Sequence, residues 1–75
     1  MSSEKQISYV VAGDVNSRDG IGLETYVNGD LVVEIFRDDS ERRTYITLHP
    51  GRVDLIVLEA SIAQFRLRID PSYIE

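Results

Sequence analysis

Cysteine is absent from this 75-residue chain. No disulfide can staple the fold, and zinc sites built on thiolates are excluded. There is no tryptophan, and His49 is the single histidine. A lone imidazole makes a poor zinc site, and no Ser-His-Asp or Cys-His set can be assembled around it. Basic residues are few, 8 against 13 acidic ones, for a net charge of −5 and a pI near 4.7. That balance disfavours non-specific binding to nucleic acid or to an anionic membrane. No stretch approaches the ~20 apolar residues of a membrane span, and Met1–Gln6 lacks the apolar core of a signal peptide. The expectation is a cytoplasmic protein with a flexible N-terminus over 1–6 and a single small domain over 7–75.

Apolar residues make up 43% of the chain, too many for a disordered segment. A domain this short buries a modest share of its surface. Without staples, such scaffolds often lean on self-association.

Ile7–Val11 is rich in β-formers and reads as a first strand. Ala12–Gly20 collects Gly13, Asp14, Asn16, Asp19 and Gly20, the chemistry of a loop. Two β-rich runs then flank Asn28-Gly29 within Ile21–Phe36. Asn-Gly ordinarily makes a two-residue type I′ hairpin. Here that turn would pair Leu23 with Glu34 and mix core with solvent. A three-residue loop, Val27-Asn28-Gly29, keeps like with like and pairs Ile21 with Ile35, Leu23 with Val33 and Thr25 with Leu31. Thr44–His49 forms the next strand after a polar tip at Asp38–Arg43, with Ile46 opposite Ile35 and Leu48 opposite Val33. The second sheet face then carries Glu24, Tyr26, Val32, Glu34, Phe36, Tyr45, Thr47 and His49. It is apolar enough to suggest a contact surface.

Pro50-Gly51 precedes the longest apolar-rich run, Val53–Ile69. Read as a helix capped near Asp54 and stopped at Asp70-Pro71, it shows a core stripe of Leu55, Leu58, Ile62, Phe65 and Ile69. A second stripe comprises Val53, Ile56, Ala60, Ala63 and Leu67. Ser61, Asp54 and Arg68 separate the stripes on one side, Glu59 and Arg66 on the other. A surface helix of a small domain usually has one apolar stripe, so two imply burial on both sides. The rival is a hairpin of Val53–Leu58 and Phe65–Ile69. Its connection, Glu-Ala-Ser-Ile-Ala-Gln, has no turn-forming residue and favours helix.

Asp19-Gly20-Ile21-Gly22-Leu23-Glu24 and Glu34-Ile35-Phe36-Arg37-Asp38-Asp39 resemble a group of short bacterial proteins of unknown function. The match covers roughly Asp19–Ile69. The resemblance implies a strand–strand–strand–helix domain and no activity. The strand order is also similar to that of dimeric single-stranded-DNA-binding transcriptional coactivators, a likeness of topology, which does not carry function.

Candidate chemistry is sparse. Asp14–Gly20 superficially resembles a calcium loop, but Arg18 and Asp19 stand where that pattern needs an oxygen ligand and a glycine. Asp38, Asp39 and Glu41 read as an exposed acidic turn rather than a divalent-ion site. The glycines form no phosphate-binding fingerprint. Tyr26, Phe36 and Tyr45 could stack nucleotide bases, yet Glu24 and Glu34 share their face.

The sequence therefore predicts an α+β domain, a three- to four-stranded antiparallel β-meander followed by one C-terminal α-helix. No catalytic, cofactor or metal site is expected, and the protein is read as no enzyme. Its expected role is that of an interaction module, a homodimer or a binder of another protein. The candidate interface is Ile56, Ala60, Ala63, Leu67, Tyr26, Phe36 and Tyr45. Single-stranded nucleic-acid binding is the alternative.

Overall fold

In the computed structural model the described residues are 6–13 and 19–69. The flexible N-terminus expected over 1–6, the calcium-like loop and the Asp70-Pro71 stop fall wholly or mostly outside them. Four strands, β1 (Ile7–Gly13), β2 (Gly20–Val27), β3 (Asp30–Asp38) and β4 (Arg43–Leu48), precede one helix, α1 (Leu55–Arg68). The strands form one antiparallel sheet in the order β1-β2-β3-β4. This is the α+β meander with a C-terminal helix, and the hairpin reading of Val53–Ile69 is discarded. No helix among the described residues is long and apolar enough to cross a membrane. Ala12, Gly13 and Gly20, expected in a loop, belong to strands.

The β2–β3 turn corrects the expected register. Val27 pairs with Asp30, so the loop is the two-residue Asn28-Gly29. Both residues have positive φ, 52° and 88°, as a type I′ turn requires. The register then shifts between Thr25 and Tyr26. Beyond the shift Thr25 pairs with Val33, Leu23 with Ile35 and Ile21 with Arg37. The extra residue needed to keep like faces together is thus a β-bulge at Val32, not a third turn residue. Asn-Gly accepts two positive φ angles cheaply, so the tight turn forms and the parity correction moves into β3. The bulge also moves Val32 from its expected place on the second face into packing against the core. Its carbonyl accepts from the His49 N–H at 2.9 Å. Asn28 locks the turn to β1: its N–H donates to Gln6 O, and its Oδ1 accepts from Gln6 N.

The β3–β4 pairing is as expected, with Ile35 opposite Ile46 and Val33 opposite Leu48. The helix packs on β1, β2 and β3 but not on β4. Leu48 still reaches the core, whereas Ile46 stays 47% exposed on the helix-side face. Leu23, Val33, Ile35, Phe65 and Ile69 form the buried core, with Tyr9, Ile21, Val53, Leu58 and Ile62 packed around it.

Asp54 caps the helix, its side chain accepting from Ile56 N at 2.9 Å. Such a cap satisfies one of the unpaired first-turn N–H groups. Ile69 leaves the helix in extended conformation. Arg66 and Arg68 stand in the last turn, where positive charge complements the helix dipole. Arg68 lies over the Tyr9 ring at 5.6 Å and ties this end to β1.

Of the expected core stripe, Phe65 and Ile69 are buried and Leu58 and Ile62 pack on the core, but the helix is turned so that Leu55 leaves it. Val57, Ser61 and Phe65 are the buried helical residues, and Leu55 is 64% exposed. Ser61, expected to separate two stripes, sits at the centre of the contact with the sheet. Its hydroxyl donates to Val57 O at 2.8 Å and lies 2.8 Å from the Thr25 hydroxyl. Having spent its one proton on the carbonyl, Ser61 accepts from Thr25. Both residues are fully buried, and each hydroxyl is satisfied. A small, paired polar residue can therefore occupy a site where an apolar one was expected.

Candidate interaction surfaces

Two apolar surfaces were candidates, the outer stripe of α1 and the sheet face away from it. On α1, Ile56 is 71% and Leu67 78% exposed. Ala63 is exposed and Ala60 half-buried. Val53, the remaining member of that stripe, packs against the core instead. Taken at the ~100° per residue of an α-helix, Ile56, Ala60, Ala63 and Leu67 fall within about 60° of one another. Their mean direction lies roughly 130° round the axis from that of Val57, Ser61 and Phe65. One side of the helix builds the core, and a contiguous apolar strip looks away from it. Glu59 and Arg66, both exposed, flank that strip on one side.

The sheet face away from the helix is less apolar than the sequence suggested. Phe36 is only 6% exposed. It stands directly opposite Gly22, and its ring lies against Gly20 and Gly22. A Cβ at Gly20 would come within 2.6 Å of Phe36 Cζ, and one at Gly22 within 3.3 Å of Phe36 Cδ1. The paired glycines leave a trough that the ring fills, so Phe36 has little surface to offer a partner. Tyr26 is half-buried and donates its phenolic proton to Glu24 at 2.9 Å. Tyr45, 45% exposed on β4, donates likewise to Glu41. These bonds hold both phenols above their ordinary pKa. Slight desolvation and the neighbouring carboxylates (Glu24 and Glu34 for Tyr26, Glu41 and Asp38 for Tyr45) add to the shift, and Arg43 opposes it at Tyr45.

Between these aromatics Glu24 and Glu34 face each other directly across β2 and β3. Like charges so placed repel one another and would also repel a phosphate backbone. Tyr26, Phe36 and Tyr45 are the aromatics that could stack nucleotide bases. One fills a glycine trough, and the other two are tethered to carboxylates.

The β3–β4 tip is more ordered than an exposed acidic turn. Asp38 Oδ1 accepts from Ser40 N, Ser40 Oγ and Glu41 N at 2.8–3.1 Å. Arg37 is 5% exposed and makes a bidentate pair with Asp39, Nε to Oδ1 at 2.8 Å and Nη2 to Oδ2 at 3.2 Å. Asp39 N also donates to Asp19 O. Asp39 thus neutralises a buried guanidinium, a job the sequence reading missed. The signal for it was the position of Arg37 on the core face of β3, two residues past Ile35. Among the described residues no group of three or more His, Cys or acidic side chains could hold a metal ion. His49 is half-buried just after β4, before a cis Pro50, and its buried Nε2 has no hydrogen-bond partner among the described residues.

Comparison with known protein families, with curated proteins and with solved structures finds no match to this chain.

Proposed function

We propose that this protein is a non-enzymatic protein-interaction module that acts as a homodimer through the outer strip of α1. The observation that carries the proposal is the exposure of Ile56 and Leu67, 71% and 78%, on the same side of a helix whose other side is already committed to the core. Large exposed apolar patches on small domains commonly mark contact sites. Ala60 and Ala63 lie between the two large residues and would let another backbone approach closely. The aromatics of the open sheet face are engaged within their own chain, which leaves the helix as the better-formed surface.

The test is thermal unfolding of the full chain over about a hundredfold range of concentration. A homodimer melts at a higher temperature as concentration rises, because association stabilises the folded state by mass action. A melting temperature independent of concentration, together with a monomeric mass at the top of the range, would overturn the proposal.

A further inference from the structure

The outer strip of α1 has the spacing of a two-stranded coiled-coil seam. Ile56, Ala60, Ala63 and Leu67 are separated by four, three and four residues, the alternation of core positions in a heptad. The two large residues stand at the ends of the strip and the two alanines in the middle, so the strip reads the same from either end. Reversed on itself, it sets Ile56 against Leu67 and Ala60 against Ala63. Flanking charges follow the same symmetry. Glu59 and Arg66 occupy equivalent heptad positions seven residues apart on the flank away from the sheet. Across an antiparallel pair, such equivalent flanking positions meet each other. Across a parallel pair, Glu59 would meet Gln64 of the other copy, and no opposite charges would be matched.

From this we infer that the occupant of the strip is a second copy of this chain, docked helix to helix in antiparallel sense about a two-fold axis between Ala60 and Ala63. Ile56 of each copy packs on Leu67 of the other. Glu59 of each pairs with Arg66 of the other, forming two symmetry-related ion pairs. The inference rests on the homodimer reading and adds to it the face, the direction and the charges that set the register. Interfaces of this kind are isologous, the same patch serving both partners. The helix meets its own sheet roughly 130° away from the seam, so the two sheets lie clear of each other. Helix pairs approach to about 8–10 Å according to the side chains between them, and alanines at the crossing put this pair at the close end.

Charge reversal tests the arrangement, read by sedimentation equilibrium of the full chain at low salt. Glu59→Arg and Arg66→Glu each turn two attractive contacts into two repulsive ones. Each variant alone is expected to dimerise about tenfold more weakly than the parent, from the usual strength of exposed ion pairs. An equimolar mixture of the two recreates both opposite-charge pairs and is expected to regain parental association as a heterodimer. Both positions are exposed, and unchanged far-UV circular dichroism will show that the fold is retained. A parent that dimerises while the variants match it, or a mixture that fails to recover, overturns the antiparallel seam and leaves the homodimer reading standing. A monomeric parent overturns both.

Discussion

Thr25 and Ser61 are the pair of residues on which the sheet–helix contact turns. Each is fully buried, and the Thr25 hydroxyl finds its acceptor in Ser61, whose own proton goes to Val57 O. Ser61→Ala leaves the Thr25 proton without that acceptor and is expected to cost about 1–3 kcal/mol. Thr25→Val with Ser61→Ala removes both groups and should recover most of the loss, since a matched apolar pair is close to neutral. Urea unfolding of the four members of this cycle gives the coupling directly. Additive losses would show that the hydroxyls act separately.

The phenols of Tyr26 and Tyr45 supply a second check at this scale. Each donates to a carboxylate, and each pKa is raised by that bond first of all. A raised pKa favours the protonated folded form. The contribution is complete below the ordinary phenol value of about 10 and is lost as pH climbs through the raised one. Ultraviolet titration should therefore show Glu24→Gln and Glu41→Gln each lowering one tyrosine midpoint. Unchanged midpoints would mean that the bonds are not made in solution.

Among the elements, β2 shows what a residue pattern conceals. Gly20 and Gly22 read as loop and strand-start residues, yet they form the floor on which Phe36 rests. A Cβ at Gly20 would also fall 2.0 Å from the Arg37 carbonyl oxygen, a backbone atom of the adjacent strand, against 3.0 Å from the Ile35 carbonyl oxygen at Gly22. Gly20→Ala must push β2 and β3 apart and is expected to cost about 1–3 kcal/mol or more, with Gly22→Ala milder. Comparison of their urea midpoints checks the order, and an equal or reversed order would remove the close approach as the reason.

The elements themselves were legible where a local rule acted without competition. Helical periodicity and the Asp54 cap marked α1, and facing Ile35–Ile46 and Val33–Leu48 fixed β3 against β4. What was not legible depended on contacts between elements. The choice between a three-residue turn and a tight turn followed by a bulge is degenerate in parity, so Val32 could not be singled out from the pattern. The rotation of α1 is hidden from its apolar pattern, because the buried centre is a serine paired with a threonine 36 positions away. Leu55 was placed in the core for the same reason. Phe36 looked like an exposed aromatic because nothing in β3 reveals the glycines opposite it. The outer strip of α1 was legible over Ile56–Leu67 from its own spacing, but not at Val53, which packs on the core.

For the whole molecule, the central claim is that α1 has two working sides, one closing the core and one meeting a second copy. Sedimentation equilibrium of Ala63→Glu beside the parent tests this most directly. The side chain of Ala63 is exposed in the single chain and central to the seam. A glutamate there should leave the fold intact while placing two like charges at the two-fold axis. The account predicts a parent in concentration-dependent monomer–dimer equilibrium and a folded, monomeric Ala63→Glu. Parent and variant sedimenting alike would contradict it.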